Sequence, residues 1–193
     1  MNRFRKKMKD NSGFTLVEIA IVMVIIGLLI GGVLKGQEMI KNAKIKRVVK
    51  SSDEIRAAVF TYQDRFGYYP GDDPLATTHL AGAAGVVNGN GNGQIAGAED
   101  EDVFIHLATA GLISGSPTGY ASAFPSHPFG GRYYLLYQNR NGKASNWITY
   151  TLAPVDVALA MDTSLDDGVY NTGSIRASAA YTGTAPVTVY VDL

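Results

Sequence analysis

The 193-residue chain has no cysteine, which excludes disulfide bonds, thiolate metal sites and cysteine catalysis. All seven prolines lie at position 70 or beyond, so no proline interrupts a helix in the first third of the chain. The sequence also lacks a Gly-x-Ser-x-Gly elbow, a phosphate-binding loop and a dinucleotide fingerprint, and its three histidines are scattered. These absences remove common enzyme classes, and we expect a protein that is not an enzyme.

Charge is balanced overall but uneven along the chain. The 17 basic residues equal the 17 acidic ones, yet residues 1–13 carry five basic residues and one acid, a net charge of +4. Beyond residue 50 the chain holds six basic and fourteen acidic residues, a net charge of −8. An acidic body of this kind repels phosphate backbones, so no nucleic-acid partner is expected.

A single apolar run follows the basic start. Residues 14–34 contain one charged side chain, Glu18, and as a helix they would cover roughly 30 Å, the thickness of a bilayer core. Because the denser basic cluster precedes the run, residues 1–13 should stay cytoplasmic and the remainder should be exported. No Ala-x-Ala cleavage pattern follows the run, so a permanent anchor is one interpretation.

Glu18 favours a more specific interpretation. An ionisable group five residues into an apolar helix costs about 3 kcal/mol on insertion scales and usually needs a partner. Cleavage between Gly13 and Phe14 would create an α-ammonium group that could pair with Glu18 of a neighbouring copy. The alternative is a carboxylate near the membrane interface that reaches water.

These residues carry a resemblance to a known family. A basic leader, the segment Gly13-Phe14-Thr15-Leu16-Val17-Glu18 and the apolar run together resemble the class III signal of type IV pilins and type II secretion pseudopilins. The resemblance implies that prepilin peptidase cleaves after Gly13, that Phe14 becomes N-methylated, and that Glu18 neutralises the N-terminus of an adjacent subunit. It further implies a precursor in the inner membrane that joins a periplasmic or extracellular filament. Many members have a proline where this chain has Lys35, and many close a C-terminal loop with a disulfide that this chain cannot form.

A long helix with two different halves is predicted. Past the apolar run, positions 45, 48, 52, 55, 59, 62 and 66 form one mainly apolar stripe at helical spacing. This stripe favours burial against the chain's own sheet over a coiled-coil seam, and Gly67 with Pro70 ends the helix. The sequence thus divides into a leader (1–13), a transmembrane and assembly helix (14–34), an amphipathic half (35–67) and a globular head (68–193).

The head is predicted to be α+β. Residues 99–113 indicate a short helix for which Gly111 is a candidate stop, and residues 132–137 and 147–152 indicate a hairpin around the turn-rich segment 139–146. Pro154 is predicted to open a second helix through residue 165, and residues 187–191 a final strand. A long helix packed on a small antiparallel sheet is also the pilin-like architecture that the resemblance implies.

Two loops are candidate calcium sites. In the first, residues 88–99, oxygen-bearing side chains and glycines follow the spacing of a twelve-residue calcium loop. Its candidate ligands are Asn88, Asn90, Asn92, Gln94 and Glu99. Because asparagine replaces aspartate at three positions, affinity should be roughly millimolar to submillimolar. A flexible surface loop is the alternative.

The second candidate holds Asp162, Asp166 and Asp167. Secretion pseudopilins commonly hold calcium towards the C-terminal end of the head, and the resemblance implies a similar role for this acidic turn. A solvated turn is the alternative. Calcium is the only cofactor to which the sequence points.

Together these features predict a structural subunit of a type IV pilus-like or type II secretion pseudopilus filament. Its expected partners are prepilin peptidase, other pilin or pseudopilin subunits, and the inner membrane before assembly. The alternative function is that of a low-copy minor pilin at the filament tip, acting in adhesion or DNA uptake.

Overall fold

The structure combines one long helix with a small antiparallel sheet. The computed structural model describes residues 13–81, 83–115 and 124–193, so residues 1–12 of the predicted leader lie outside the described residues. The elements in chain order are α1 (Leu16–Phe66), α2 (Ala76–His79), α3 (Glu99–Thr109), β1 (Tyr133–Arg140), β2 (Lys143–Ala153), α4 (Val155–Leu165), β3 (Ile175–Ala177) and β4 (Val187–Asp192). The predicted α+β class is confirmed.

The chain divides into two compact units, Met1–Asn42 and Ala43–Leu193. In the first unit the described residues belong mainly to the beginning of α1. Fifteen large apolar side chains between Phe14 and Leu34 are each at least 45% exposed. Among the described residues, α1 is the one helix long and apolar enough to cross a membrane, with a mean hydropathy of 2.8 in its most apolar window. Such a surface requires lipid or other helices around it.

In the second unit, the later half of α1 packs on the sheet through the predicted stripe. Val48, Val59 and Tyr62 are buried in the core, as the helical spacing indicated. Hydroxyl groups add polar links, because Ser51 Oγ lies 2.8 Å from the Tyr133 hydroxyl and Ser52 hydrogen-bonds the Tyr150 hydroxyl. Gly67, at φ +82°, then ends the helix in a left-handed conformation.

The sheet has the order β1-β2-β4-β3, and every neighbouring pair is antiparallel. Its inner face joins the core with α1 and α4 through Leu135, Ile148, Val191 and Ile175. Opposed residues share a face of an antiparallel sheet, so Trp147 and its partners Leu136 and Asp192 lie on the outer face.

Several predicted boundaries were wrong. The hairpin turn is not the segment 139–146 but the two residues Asn141 and Gly142, at φ 49° and 87°; a two-residue turn with both φ positive matches the twist of the strands, which therefore extend further. Helix α3 does not reach residue 113 but ends at Thr109, just before Gly111 at φ 71°, the candidate stop. Strand β3 and the single-turn helix α2 were not predicted, because neither is long enough to show a hydrophobic period.

Candidate functional site

The segment that would be processed precedes helix α1. Gly13, Phe14 and Thr15 lie outside regular secondary structure, and Phe14 is 84% exposed. No other described atom lies within 4 Å of the position that a Cβ at Gly13 would occupy. A peptidase that cleaves after Gly13 would therefore find a backbone that is outside the helix and uncrowded.

Glu18 and Thr15 form a reciprocal cap at the start of α1. The Thr15 backbone N–H donates to Glu18 Oε2 at 2.8 Å, and the Thr15 hydroxyl donates to the same oxygen at 2.7 Å. In return the Glu18 N–H donates to Thr15 Oγ1 at 3.2 Å. This is a capping box, in which a threonine and a glutamate three residues later satisfy otherwise unpaired amides of the first turn.

The cap explains why the helix begins at Leu16 and not at Phe14. It also directs the Glu18 carboxylate back towards the N-terminal end of the helix, where cleavage would expose the Phe14 ammonium. The sequence interpretation of Glu18 did not include Thr15, although the Thr-x-x-Glu spacing is a known signature of helix starts.

Residues 8–34 match the family model described as the prokaryotic N-terminal methylation motif. The chain carries a prepilin signal. This match confirms the resemblance to type IV pilins and pseudopilins that rested on Gly13, Phe14 and Glu18. The prepilin signal implies processing by prepilin peptidase and assembly with other pilins, and with the apolar helix it indicates membrane anchoring of the precursor. Neither a curated protein nor a solved structure matches the chain.

The first calcium candidate, residues 88–99, is folded around a carboxylate from outside the loop. Asp72 is 1% exposed, and its two oxygens accept the backbone N–H groups of Asn92 at 3.1 Å and Gly93 at 2.7 Å. Gly89 packs so closely on the Gly71–Asp72 backbone that a Cβ would overlap it. Nothing in the local sequence reveals this contact between Asp72 and residues twenty positions away.

Four of the predicted ligands of this loop, Asn88, Asn90, Asn92 and Glu99, accept hydrogen bonds within the protein through their side-chain oxygens. Asn90 donates from its side chain to Glu99 Oε1 at 2.6 Å, which brings these two residues together. Asn92 Oδ1 accepts the N–H of Gln94 at 2.7 Å. Asn88 Oδ1 instead accepts the N–H of Thr77, at 2.9 Å. Calcium binding by this loop stays a prediction.

The second candidate does gather its three carboxylates. One oxygen from each of Asp162, Asp166 and Asp167 lies within 4.8 Å of the others. Asp162 is fully buried, which raises the pKa of its carboxyl group, and its Oδ2 accepts the Tyr181 hydroxyl at 2.6 Å. Asp166 Oδ2 accepts the N–H of Ile175 at 2.8 Å and so supports edge strand β3. These acids organise the loop between α4 and β3. Calcium binding by the three carboxylates also stays a prediction.

His106 serves packing. His106 is buried in the core, where Nδ1 accepts the Gly71 N–H at 2.9 Å and Nε2 donates to the Val87 carbonyl at 3.0 Å. With both ring nitrogens engaged in this way the imidazole is neutral, and burial lowers its pKa. His106 is therefore a packed core residue.

Proposed function

We propose that this protein is a structural subunit of a type IV pilus-like or type II secretion pseudopilus filament. The prepilin signal at residues 8–34 is the observation that carries the proposal. The precursor spans the inner membrane with residues 1–13 in the cytoplasm. Removal of those residues leaves Phe14 as the methylated N-terminus of the mature subunit.

Assembly moves the apolar start of α1 from lipid into a bundle of similar helices. The exposed side chains between Phe14 and Leu34 are equally apolar in both settings, so the hydrophobic effect contributes little to the transfer. A polar interaction must therefore determine whether a subunit joins and in which register.

Glu18 is the residue suited to supply that interaction. Its carboxylate is held at the first helical turn by Thr15, and no other acidic side chain lies in residues 14–34. A new Phe14 ammonium on the next copy is the cation that it would neutralise. In an apolar surrounding such a pair interacts far more strongly than in water.

Two measurements test the proposal. Intact mass of the purified mature protein should correspond to residues 14–193 with one added methyl group, and Gly13→Leu should retain the leader.

Glu18→Leu should remain inserted in the membrane but yield at least about tenfold less filament, as expected for loss of a desolvated ion pair. Glu38→Leu, which removes an exposed acid of the same helix, is the matched control. Normal filament yield from Glu18→Leu contradicts the proposal.

Copy number separates this role from that of a minor pilin. A structural subunit should make up most of the filament mass, whereas a tip subunit should be present in very few copies. Quantitative mass spectrometry of sheared filaments makes this distinction.

A further inference from the structure

The outer face of the sheet carries a cluster of cations over two aromatic rings. Arg140 opposes Lys143 across the β1-β2 hairpin, and Arg176 opposes Tyr190 across strands β3 and β4. Trp147 opposes Asp192 between them. We call this surface the basic face, and it consists of Gln138, Arg140, Lys143, Trp147, Arg176, Tyr190 and Asp192.

The basic face concentrates positive charge, which is scarce in the head. Beyond residue 50 the chain holds six basic residues, and three of them lie here. The face contains one acid, Asp192, whose Oδ2 lies 2.5 Å from Lys143 Nζ. Its net charge is therefore +2, whereas the chain beyond residue 50 carries a net charge of −8.

The aromatic rings hold these cations in place and are themselves covered. The Arg140 guanidinium lies 3.9 Å from the centre of the Tyr190 ring, and Lys143 and Arg176 lie 5.7 and 5.9 Å from the centre of the Trp147 ring. Trp147 is fully buried and Tyr190 is 5% exposed, so neither ring is free to stack on a nucleic-acid base. Arg176 also donates to the Asn141 carbonyl at 2.9 Å, a neutral acceptor, and it interacts electrostatically with the Asp167 carboxylate.

The same face leaves buried polar atoms without partners. Within the part of the chain that the structure describes, three buried side-chain atoms make no hydrogen bond: Gln138 Oε1, Arg140 Nε and Asp192 Oδ1. All three belong to the basic face. Unpaired buried polar atoms are rare and destabilising, so their concentration here indicates a surface that is incomplete in the isolated chain.

The chain also offers a surface of opposite sign. Four consecutive acids, residues 99–102, form the first turn of α3, and we call them the acidic turn. Glu99 binds the neighbouring loop, but Asp100, Glu101 and Asp102 form no ion pair with any described cation. Burial and the neighbouring carboxylates raise the pKa of Asp102 to about 6. Positive charge arriving at this turn would relieve that repulsion.

We propose that the basic face of one copy docks the acidic turn of a second copy. This inference rests on the proposed function, because it describes how heads would meet along a filament. The two surfaces differ, so the contact is heterologous: a docked pair keeps one free basic face and one free acidic turn, and the contact can repeat without closing. Its charges are partly exposed, so added salt should weaken the contact. Physiological salt screens exposed charges that are more than about 8 Å apart.

Cross-linking between differently labelled copies tests the docking directly. The natural chain has no cysteine, so Ala98→Cys beside the acidic turn and Ser145→Cys on the outer face each introduce one thiol without removing a charge. Co-expressed full-length chains carrying one variant each should form a dimer with a thiol-specific cross-linker. The yield of cross-linked dimer should be about tenfold higher than for the control pair, Thr184→Cys with Ala98→Cys.

Charge reversal then identifies the groups involved. Arg176→Glu in the Ser145→Cys chain should reduce the cross-link about tenfold, and Glu101→Lys in the Ala98→Cys chain should restore it. Arg132→Glu, an exposed cation of the head outside the basic face, should have no effect. Loss without rescue, or no loss, overturns the proposal.

The outcomes distinguish this inference from the proposed function. Filaments that form without the cross-link overturn the docking alone, and a cross-link without filaments overturns the filament role alone. If neither filaments nor the cross-link form, both the filament role and the docking are overturned. Binding of heparin by the basic face with no cross-link between copies replaces the second copy by a polyanionic partner and overturns the docking as stated.

Discussion

The Glu18 carboxylate accepts hydrogen bonds from both donors of Thr15, the backbone N–H at 2.8 Å and the hydroxyl at 2.7 Å. One side chain therefore serves as the cap of α1 and as the acid proposed to meet the next subunit. Because these two roles share an oxygen, a change at Glu18 alone affects both of them. Variants of Thr15 separate them.

Thr15→Ala should fray the first turn of α1 but keep the carboxylate. Loss of a threonine cap costs about 1 kcal/mol of helix stability, so amide exchange at residues 16–18 should rise several-fold in detergent-solubilised protein. Filament yield should fall much less than in Glu18→Leu. Thr15→Ser, which keeps the hydroxyl, should behave as wild type. An equal loss of filaments in Thr15→Ala and Glu18→Leu would show that capping is the whole role of Glu18.

Asp72→Ala should destabilise the head by about 2–4 kcal/mol, because it leaves the N–H groups of Asn92 and Gly93 unpaired in a part-buried setting. Limited proteolysis should then cut first within residues 88–99. Asp64→Ala removes an exposed acid of α1 and should change the midpoint of chemical unfolding very little. An Asp72→Ala protein with unaltered loop protection would refute this role.

Asp102 should make the head less stable as pH rises. Its folded pKa of about 6 exceeds the ordinary value of 3.8, so the folded chain binds more protons than the unfolded chain between these values. The contribution of this group is therefore most favourable below about pH 4, falls as pH rises to 6 and is constant above. Asp102→Asn should remove this slope and stabilise the protein at pH 7 by about 1 kcal/mol after allowance for solvent screening.

The measurement is thermal unfolding of the full-length protein at pH 4, 5 and 7. At pH 7 the Asp102→Asn variant should melt about 2–4 °C higher than wild type, and the difference should vanish at pH 4. Asp64→Asn is the control for removal of one negative charge from the surface. A lower melting temperature at pH 7 would indicate that Asp102 has a favourable partner.

Calcium should raise the melting temperature of the full-length protein at millimolar concentration, and chelator should reverse the rise. If the ion lies between α4 and β3, Asp167→Asn should abolish the rise while Asn90→Ala preserves it, because Asp167 is one of the three gathered carboxylates. The opposite pattern would place the ion in the loop 88–99. An unchanged midpoint in wild type contradicts both candidates.

Much of the architecture follows from local patterns in the sequence. The stripe containing Val48, Val59 and Tyr62 predicted the buried side of α1, since a helix repeats its faces every three to four residues. Gly67 and Pro70 predicted its end, and Pro154 predicted the start of α4. The prepilin signal was equally visible, because its function depends on a contiguous segment that a peptidase must recognise.

Relationships between distant residues were not predictable in this way. Asp72 and Gly93 meet only because the loop folds back on the end of α1, and no local period encodes that contact. Arg140 and Arg176 share a surface because β4 pairs with both β2 and β3, which requires the strand order. Strand β3 itself has three residues, too few to show alternation.

Trp147 is the only tryptophan of the chain, and it lies fully buried beneath Lys143 and Arg176. All indole emission of the protein therefore originates at one place on the outer face of the sheet. Ultraviolet fluorescence of the unlabelled chain is consequently a built-in optical reporter of that place, and its wavelength and intensity can follow solvent access and cation distance during polymer growth without any attached dye.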